Sequence, residues 1–254
     1  MSDADELAVL SDAALAAHLA VAAGRVLLEM REAGVLHGRA LGDAGDAAAN
    51  EYLCHALRAV RPGDGLLSEE ERDDTTRCDL ERVWIVDPVD GTREYGEHRD
   101  DWAVHVGLSI GGVATTGAVA LPDLDGGIVL RTDEPAPLRE APAAPRFLVS
   151  RTRPAKEALA VCEALGGELV AMGSAGAKAM AVVRGEAEIY LHSGGQYEWD
   201  SCAPVAVALA HGLHCSRIDG SPLVYNRADP YLPDLLICRQ QYAARVLELV
   251  SGLD

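Results

Sequence analysis

Residues 83–95 read VWIVDPVDGTREY and set two carboxylates, Asp87 and Asp90, three positions apart at the end of a β-branched run. Like charges that close repel each other unless a cation neutralises them or one takes up a proton. Pro88 stiffens the backbone between them, so both carboxylates can converge while the Val89 carbonyl stays free as a third oxygen. Hard cations such as Mg²⁺ take oxygen ligands of this kind. Gly91 permits close backbone approach, and the amides that follow, with the Thr92 hydroxyl, can hold a phosphate oxygen. An ordinary Asp-rich turn capping a helix is the competing reading, because Asp-Pro and Asp-Gly are common turn dipeptides.

Three further acidic positions bear on that choice. The stretch GLLSEEERDD places Glu69 and Glu70 directly after an apolar pair that can end a strand, although an acidic loop is usually just solvated. QYEWDSCAP sets Asp200 at the start of an apolar helix, and GDAGDAAANEYL sets Asp46 before another. Each of these two is explained without metal as a helix N-cap.

Positioning such residues requires elements around them. Ser11 and Asp12 cap a predicted helix running to about Gly34, and a second is expected after Asp46, with Leu53, Leu57 and Val60 on one side. The period then changes: VWIVD, WAVHVGLSI, VATTGAVAL and GGIVL read as strands, the middle two joined at Gly111-Gly112. Residues 132–145 hold four prolines and no periodicity. Beyond them RFLVS, ELVAM and AEIYLH alternate as strands with helices over RPAKEALAVCEALGG, SAGAKAMAVVRG and DSCAPVAVALAHG. The expected organisation is an α+β, metal-binding half over 1–135, a Pro-rich connector over 136–145, and an α/β half over 146–254 that selects substrate.

Bulk properties narrow the partners. A net charge of −18, with Lys156 and Lys178 the only lysines, argues against a nucleic-acid polymer as ligand. An anionic small molecule stays compatible, because bound cations invert the local field. The chain has no uninterrupted apolar run of membrane-spanning length, so no membrane partner is expected. Six cysteines without a C-x-x-C pair, behind an N-terminus lacking a basic segment and a long apolar one, are expected to be reduced in a cytoplasmic protein.

Taken together, SEE, DPVDGT and EWDSCAP resemble, in order and spacing over nearly the whole chain, the inositol monophosphatase family of metal-dependent sugar and nucleotide phosphatases. The resemblance implies a layered αβαβα sandwich with metals at the seam between its halves. Carried over by position, Glu69, Asp87 and the Val89 carbonyl hold one Mg²⁺, and Asp87, Asp90 and Asp200 a second. A third, weaker ion is implied near Glu69 and Asp90. Glu69, Thr92 and Asp46 are the implied catalytic residues, Thr92 orienting the attacking water and Asp46 fixing Thr92. Li⁺ is expected to inhibit by occupying a metal position, and a homodimer is expected. One departure touches this set: Asp43 stands where the family usually has threonine, and only Arg39 is at hand for a basic residue common further upstream.

LVSRTRP and MGSAGAKAM resemble the CysQ-type nucleotidase branch of that family, and DGSPLVYN does so too. The likeness implies Ser150, Arg151, Ser174 and Lys178 as nucleotide contacts, with Arg131 and Arg153 as weaker candidates. Glu69, Val89, Asp90, Gly91, Thr92 and Asp200 complete the substrate set around the phosphate. Lys178 sits on a helix of small residues, from which a long cation can reach across a cleft; a plain surface lysine is the alternative. The expected activity is removal of the 3′-phosphate of 3′-phosphoadenosine 5′-phosphate to leave AMP, with 3′-phosphoadenylyl sulfate as a further substrate, in sulfate assimilation. Inositol phosphate, fructose 1,6-bisphosphate or broad specificity are the alternatives. A non-enzymatic metal-binding homologue has no support, since every implied ligand position carries its acid.

Overall fold

Alternation along VWIVD decides where Asp87 points. In the computed structural model, which describes residues 3–253, the strand β2 spans Arg82–Asp90 within a sheet of order β1-β2-β3-β4-β5. Its companions are β1 (Gly65–Ser68), β3 (Ala103–Ile110), β4 (Val113–Leu121) and β5 (Ile128–Arg131). β1 runs parallel to β2, and the remaining neighbours are antiparallel. Trp84 and Val86 pack outward against α2 (Asp12–Glu32) and α3 (Gly38–Val60), whereas Val83 and Ile85 face the molecular centre. Period-2 geometry therefore sends Asp87 inward. The ladder is irregular between Asp87 and Asp90, so Pro88 sits in a bulge, where its missing N–H does no harm.

The second sheet has order β7-β6-β8-β10-β9, from β6 (Arg146–Ser150), β7 (Glu168–Met172), β8 (Ile189–Tyr197), β9 (His214–Ser216) and β10 (Tyr231–Cys238). Between the sheets lie α6 (Ala175–Val183) and α7 (Glu198–Ala210), and behind the second sheet lie α5 (Lys156–Ala164) and α8 (Gln240–Ser251). Two shorter helices, α1 (Asp3–Ala8) and α4 (Thr92–Gly96), complete the set. The result is the five-layered αβαβα sandwich.

Several local expectations change. The second helix starts at Gly38 rather than after Asp46, which lies in its interior. Gly42 and Gly45 are contact points: a Cβ at either would come within 2.7 Å of Thr92 and 2.6 Å of Tyr95, respectively. The helix continues because Leu41, Ala49, Leu53 and Leu57 are buried on one side of it. Asp200 does not open its helix either, since α7 begins at Glu198 and Asp200 lies in the first turn. The βαβ pattern holds for β6, β7 and β8, but β10 is antiparallel to β8 and β9. α2 is long and apolar enough to cross a membrane by length and composition; here Leu15, Leu19 and Leu27 are fully buried against α3 and the first sheet.

α7 can approach the first sheet only because two strand positions lack side chains. Cβ atoms on Gly107 and Gly117 would lie 2.8 Å and 3.0 Å from the Ala203 backbone. Gly107→Ala should therefore push α7, and Asp200 with it, off the sheet. Overpacking of this kind costs about 1–3 kcal/mol. Thermal unfolding should show a lowered Tm with weakened Mg²⁺ binding. Gly63→Ala, whose Cβ meets nothing within 4 Å, serves as the control. An unchanged Tm and Mg²⁺ affinity in Gly107→Ala would contradict the packing described.

Candidate active site

The bulge of β2, the end of β1 and the start of α7 bring the acids together. Carboxylate oxygens of Asp87, Asp90 and Asp200 lie within 4.8 Å of one another. Glu69 follows β1 directly and feels the charges of Asp200, Asp46 and Asp90. Asp46 approaches from α3, 5% exposed, with its carboxyl close to the Thr92 hydroxyl. Five acids from four elements thus come together, with Asp46, Asp87 and Asp90 buried, Asp200 half-buried and Glu69 exposed.

The chain neutralises Asp90 by itself. Its Oδ1 accepts the Ala175 N–H at 3.0 Å. Its Oδ2 accepts the Gly176 N–H at 2.5 Å and the Ser174 hydroxyl, and lies 3.2 Å from Nε2 of His105. Burial alone would raise its pKa, but the His105 charge, the hydrogen bonds and the N-terminus of α6 outweigh burial and hold it at about 2. The other four acids have less help: Asp200 accepts only the Tyr197 N–H at 2.6 Å, and burial prevails in each. Burial foremost, then mutual repulsion, pushes Asp87 well above the usual carboxylate range and Glu69 up to about 8. Burial also lifts Asp46 to about 7 and, reinforced by Asp90, Asp200 to about 6.

Such a donor set fits a hard cation. Asp87 Oδ1 and Asp46 Oδ1 are buried without a hydrogen-bond partner, which is costly for a carboxylate oxygen. All the donors are oxygens, as Mg²⁺ or Ca²⁺ requires and as soft metals do not favour. The Val89 carbonyl is not free as it stands, since Thr92 Oγ1 donates to it at 3.2 Å.

A cavity of about 380 Å³ opens beside the acids, lined by Glu69, Asp90, Gly91, Asp200, Ser150, Arg151, Arg153, Ser174 and Lys178. Both sequence readings of Lys178 change. It is 5% exposed, so it is no surface lysine, and it does not extend across a cleft. Its Nζ folds back to donate to the Gly173 and Ser174 carbonyls and sits 5.3 Å from the Tyr190 ring. Burial lowers its pKa to about 8 despite the nearby acids. Arg151 is paired with Glu94, with Glu97 at 3.4 Å, and the Ser150 hydroxyl accepts the Arg153 N–H at 3.3 Å. Arg131 bonds Asp133 and does not line this cavity. Asp43 pairs with Arg39 at 3.5 Å on the exposed side of α3, near enough for its charge to act on Asp46.

His105 is the residue that spacing arguments missed. Fully buried in β3, it bonds the Trp199 carbonyl through Nδ1 at 3.0 Å and faces Asp90 through Nε2. It pairs in register with Asp87 and lies against Gly176, where a Cβ would collide with its ring. The signal was a histidine in the apolar strand after DPVDGT, on the same inward alternation as Ala103.

These features define a class. The sequence profile of the inositol monophosphatase family matches residues 13–251, and the chain belongs to that family. Among its relatives, a Mycobacterium leprae protein described as 3'-phosphoadenosine 5'-phosphate phosphatase is 53% identical, across 97% of this chain and 96% of its own. The Escherichia coli 3'(2'),5'-bisphosphate nucleotidase CysQ is 27% identical over 74% of this chain and 81% of its own. The CysQ structure from Bacteroides thetaiotaomicron superposes with a TM-score of 0.75 at 24% identity, covering 89% of this chain and 97% of that one.

Two outcomes follow. Asp90→Asn keeps the shape but removes the charge that Ser174, Gly176 and His105 enclose. Turnover should fall by more than roughly a hundredfold, the upper figure for partners that merely support a ligand. Circular dichroism should be unchanged, and full activity would remove Asp90 from the site. The second outcome concerns pH. The raised carboxyls bind protons more tightly folded than unfolded, so this part of the stability is complete below the unfolded values, near 4. It is lost as pH rises through about 7, where the buried Asp46 titrates. Metal-free protein should lose Tm over that window, and Mg²⁺ should restore more of it at pH 8 than at pH 5. A metal-free Tm that rises with pH across the same range would contradict the arrangement.

Proposed function

We propose that the protein is a Mg²⁺-dependent phosphatase that removes the 3′-phosphate of 3′-phosphoadenosine 5′-phosphate, giving AMP and inorganic phosphate. The observation that carries this reading is one cavity with two chemistries. Asp90 and Asp200 of the acidic trio line it together with Lys178, Arg151 and Arg153. A substrate with two phosphates suits such a cavity, and the description of the relative 53% identical to this chain supports the same choice. In the reaction a water oxygen bonds to phosphorus, the bond from phosphorus to the ribose 3′-oxygen breaks, and that oxygen takes up a proton.

Glu69, Asp87, Asp90, Asp200 and the Val89 carbonyl would hold the cations, which when bound supply positive charge to the phosphoryl oxygens and acidify a water. Asp46 and Thr92 manage the proton. With Asp46 protonated, the Thr92 hydroxyl donates to the Val89 carbonyl, as observed. Once Asp46 is ionised, as nearby cations would favour, that hydroxyl turns to Asp46. The Val89 oxygen is then released as a ligand, and Thr92 Oγ1 is left to accept a hydrogen bond from water. Ser174 and the α6 amides keep Asp90 ionised throughout. Two of the three Lys178 donors hold the turn that presents those amides, and the third remains for a substrate oxygen. No protein nucleophile is needed.

The same reading includes 3′-phosphoadenylyl sulfate as a substrate, a place in sulfate assimilation, inhibition by Li⁺, a cytoplasmic location and a homodimer. The test is phosphate release from 3′-phosphoadenosine 5′-phosphate, inositol monophosphate and fructose 1,6-bisphosphate under one Mg²⁺ condition, with and without millimolar Li⁺. The nucleotide should have the highest kcat/KM, and Li⁺ should suppress its turnover. A higher value for either sugar phosphate would overturn the substrate assignment. No Mg²⁺-dependent release from any of them would leave a metal-binding homologue.

A further inference from the structure

Aromatic side chains are scarce here, three Trp, seven Tyr and one Phe, and most of the large rings are buried in the cores. Three gather instead at the mouth of the active-site cavity. Tyr197 and Trp199 stack with ring centroids 4.8 Å apart and planes 9° from parallel. Tyr231, opposite Tyr197 in the β8–β10 ladder, meets it edge-on at 6.0 Å. Tyr197 and Tyr231 are 45% and 43% exposed. The arrangement is built: Tyr197 ends β8 and Trp199 is in the first turn of α7, so the strand-to-helix corner brings their faces together. Gly195 makes room for Tyr231, whose ring a Cβ there would approach to 2.8 Å.

We propose that Tyr197, supported by Trp199, is the stacking shelf for the nucleobase of the substrate, and so the element that selects a nucleotide over a sugar phosphate. The inference rests on the nucleotidase reading and extends it. Both rings line the same cavity as Asp90 and Asp200. The Tyr197 N–H donates to Asp200 Oδ2 at 2.6 Å, and three residues span at most about 10 Å, so the shelf is in fixed register with the phosphate centre. Gln196, directly before Tyr197 in sequence, lines the same cavity, 7% exposed. Its Nε2 donates to the Tyr190 hydroxyl at 2.9 Å, while its Oε1 is buried without a partner. An unmatched acceptor in a cavity wall is suited to a donor on the bound nucleoside. Flat rings favour a planar π system and offer nothing comparable to inositol or fructose.

Steady-state kinetics on adenosine 3′,5′-bisphosphate and on base-free ribose 3,5-bisphosphate test the shelf, using wild type, Tyr197→Ala and Tyr197→Phe. Loss of one base-stacking contact corresponds to a rise of roughly five- to hundredfold in KM. That rise should appear for the nucleotide in Tyr197→Ala, with kcat at saturation largely kept, and Tyr197→Phe should restore it. The preference for the nucleotide over the base-free substrate should shrink by the same factor. Parallel changes on both substrates, or none, would overturn the shelf. So would a Tyr197→Ala variant whose oligomeric state changes on size-exclusion chromatography while its preference does not. A wild type that hydrolyses neither compound would sink the nucleotidase reading as well. A wild type that hydrolyses the nucleotide with an indifferent Tyr197→Ala would sink the shelf alone.

Discussion

Five carboxyl groups gathered at one place, three of them (Asp46, Asp87, Asp90) buried, are the constraint on which the rest of this molecule turns. Left ionised and unaccompanied they would repel strongly and forfeit their hydration. The chain resolves this unevenly. Asp90 is wrapped by His105, Ser174 and the first amides of α6 and stays an anion, held at about 2. Asp87, Glu69, Asp46 and Asp200 receive no such shell, and burial pushes each of them upward. They need protons or cations. That is the physical meaning of two aspartates separated only by Pro88 and Val89: one is kept charged by the protein itself, while the other depends on a proton or a cation.

The frame around the acids is built by removing side chains. Gly107 and Gly117 let α7 settle on the first sheet, and Gly42 and Gly45 let α3 close on Thr92 and Tyr95. Gly176 leaves space for the His105 ring between α6 and β3. Each contact draws one acid-bearing or acid-supporting element inward. Five layers are thus held close enough for oxygens from β2 and α7 to meet within 4.8 Å.

The cationic wall is already occupied by internal partners. Arg151 is bonded to Glu94, and two Lys178 donors are taken by carbonyls of the turn that serves Asp90. Lys178 therefore supports the phosphate side through backbone geometry as much as through its charge. The exposed rings of Tyr197 and Tyr231 stand on the same rim, beside a cavity that is otherwise polar. On the proposed stacking role, selectivity and chemistry meet at the corner where β8 passes into α7, because Tyr197 and Asp200 are bonded across it.

Much of this was legible in the amino-acid order. The strand VWIVD, the bulged DPVDGT, Glu69 after β1 and an acid at the head of an apolar helix are local patterns, governed by side-chain alternation and turn chemistry. The αβαβα class followed from the same patterns together with the family resemblance. What escaped depends on distant partners. β9, β10 and α8 lie beyond the last periodic segment that was read, and β10 gains its place by pairing with β8. Gly42 and Gly45 show no role until Thr92 and Tyr95 are brought against them. His105 looks like any histidine in an apolar strand until Asp90 and the Trp199 carbonyl arrive at its two nitrogens. Lys178 looks like a free cation until Gly173 and Ser174 claim it. Sequence alone determined which acids could gather, because residue type and spacing set which face each one takes. Tertiary structure decided which of them keeps its charge, because hydrogen bonds, burial and a facing imidazole come from parts of the chain far apart in order.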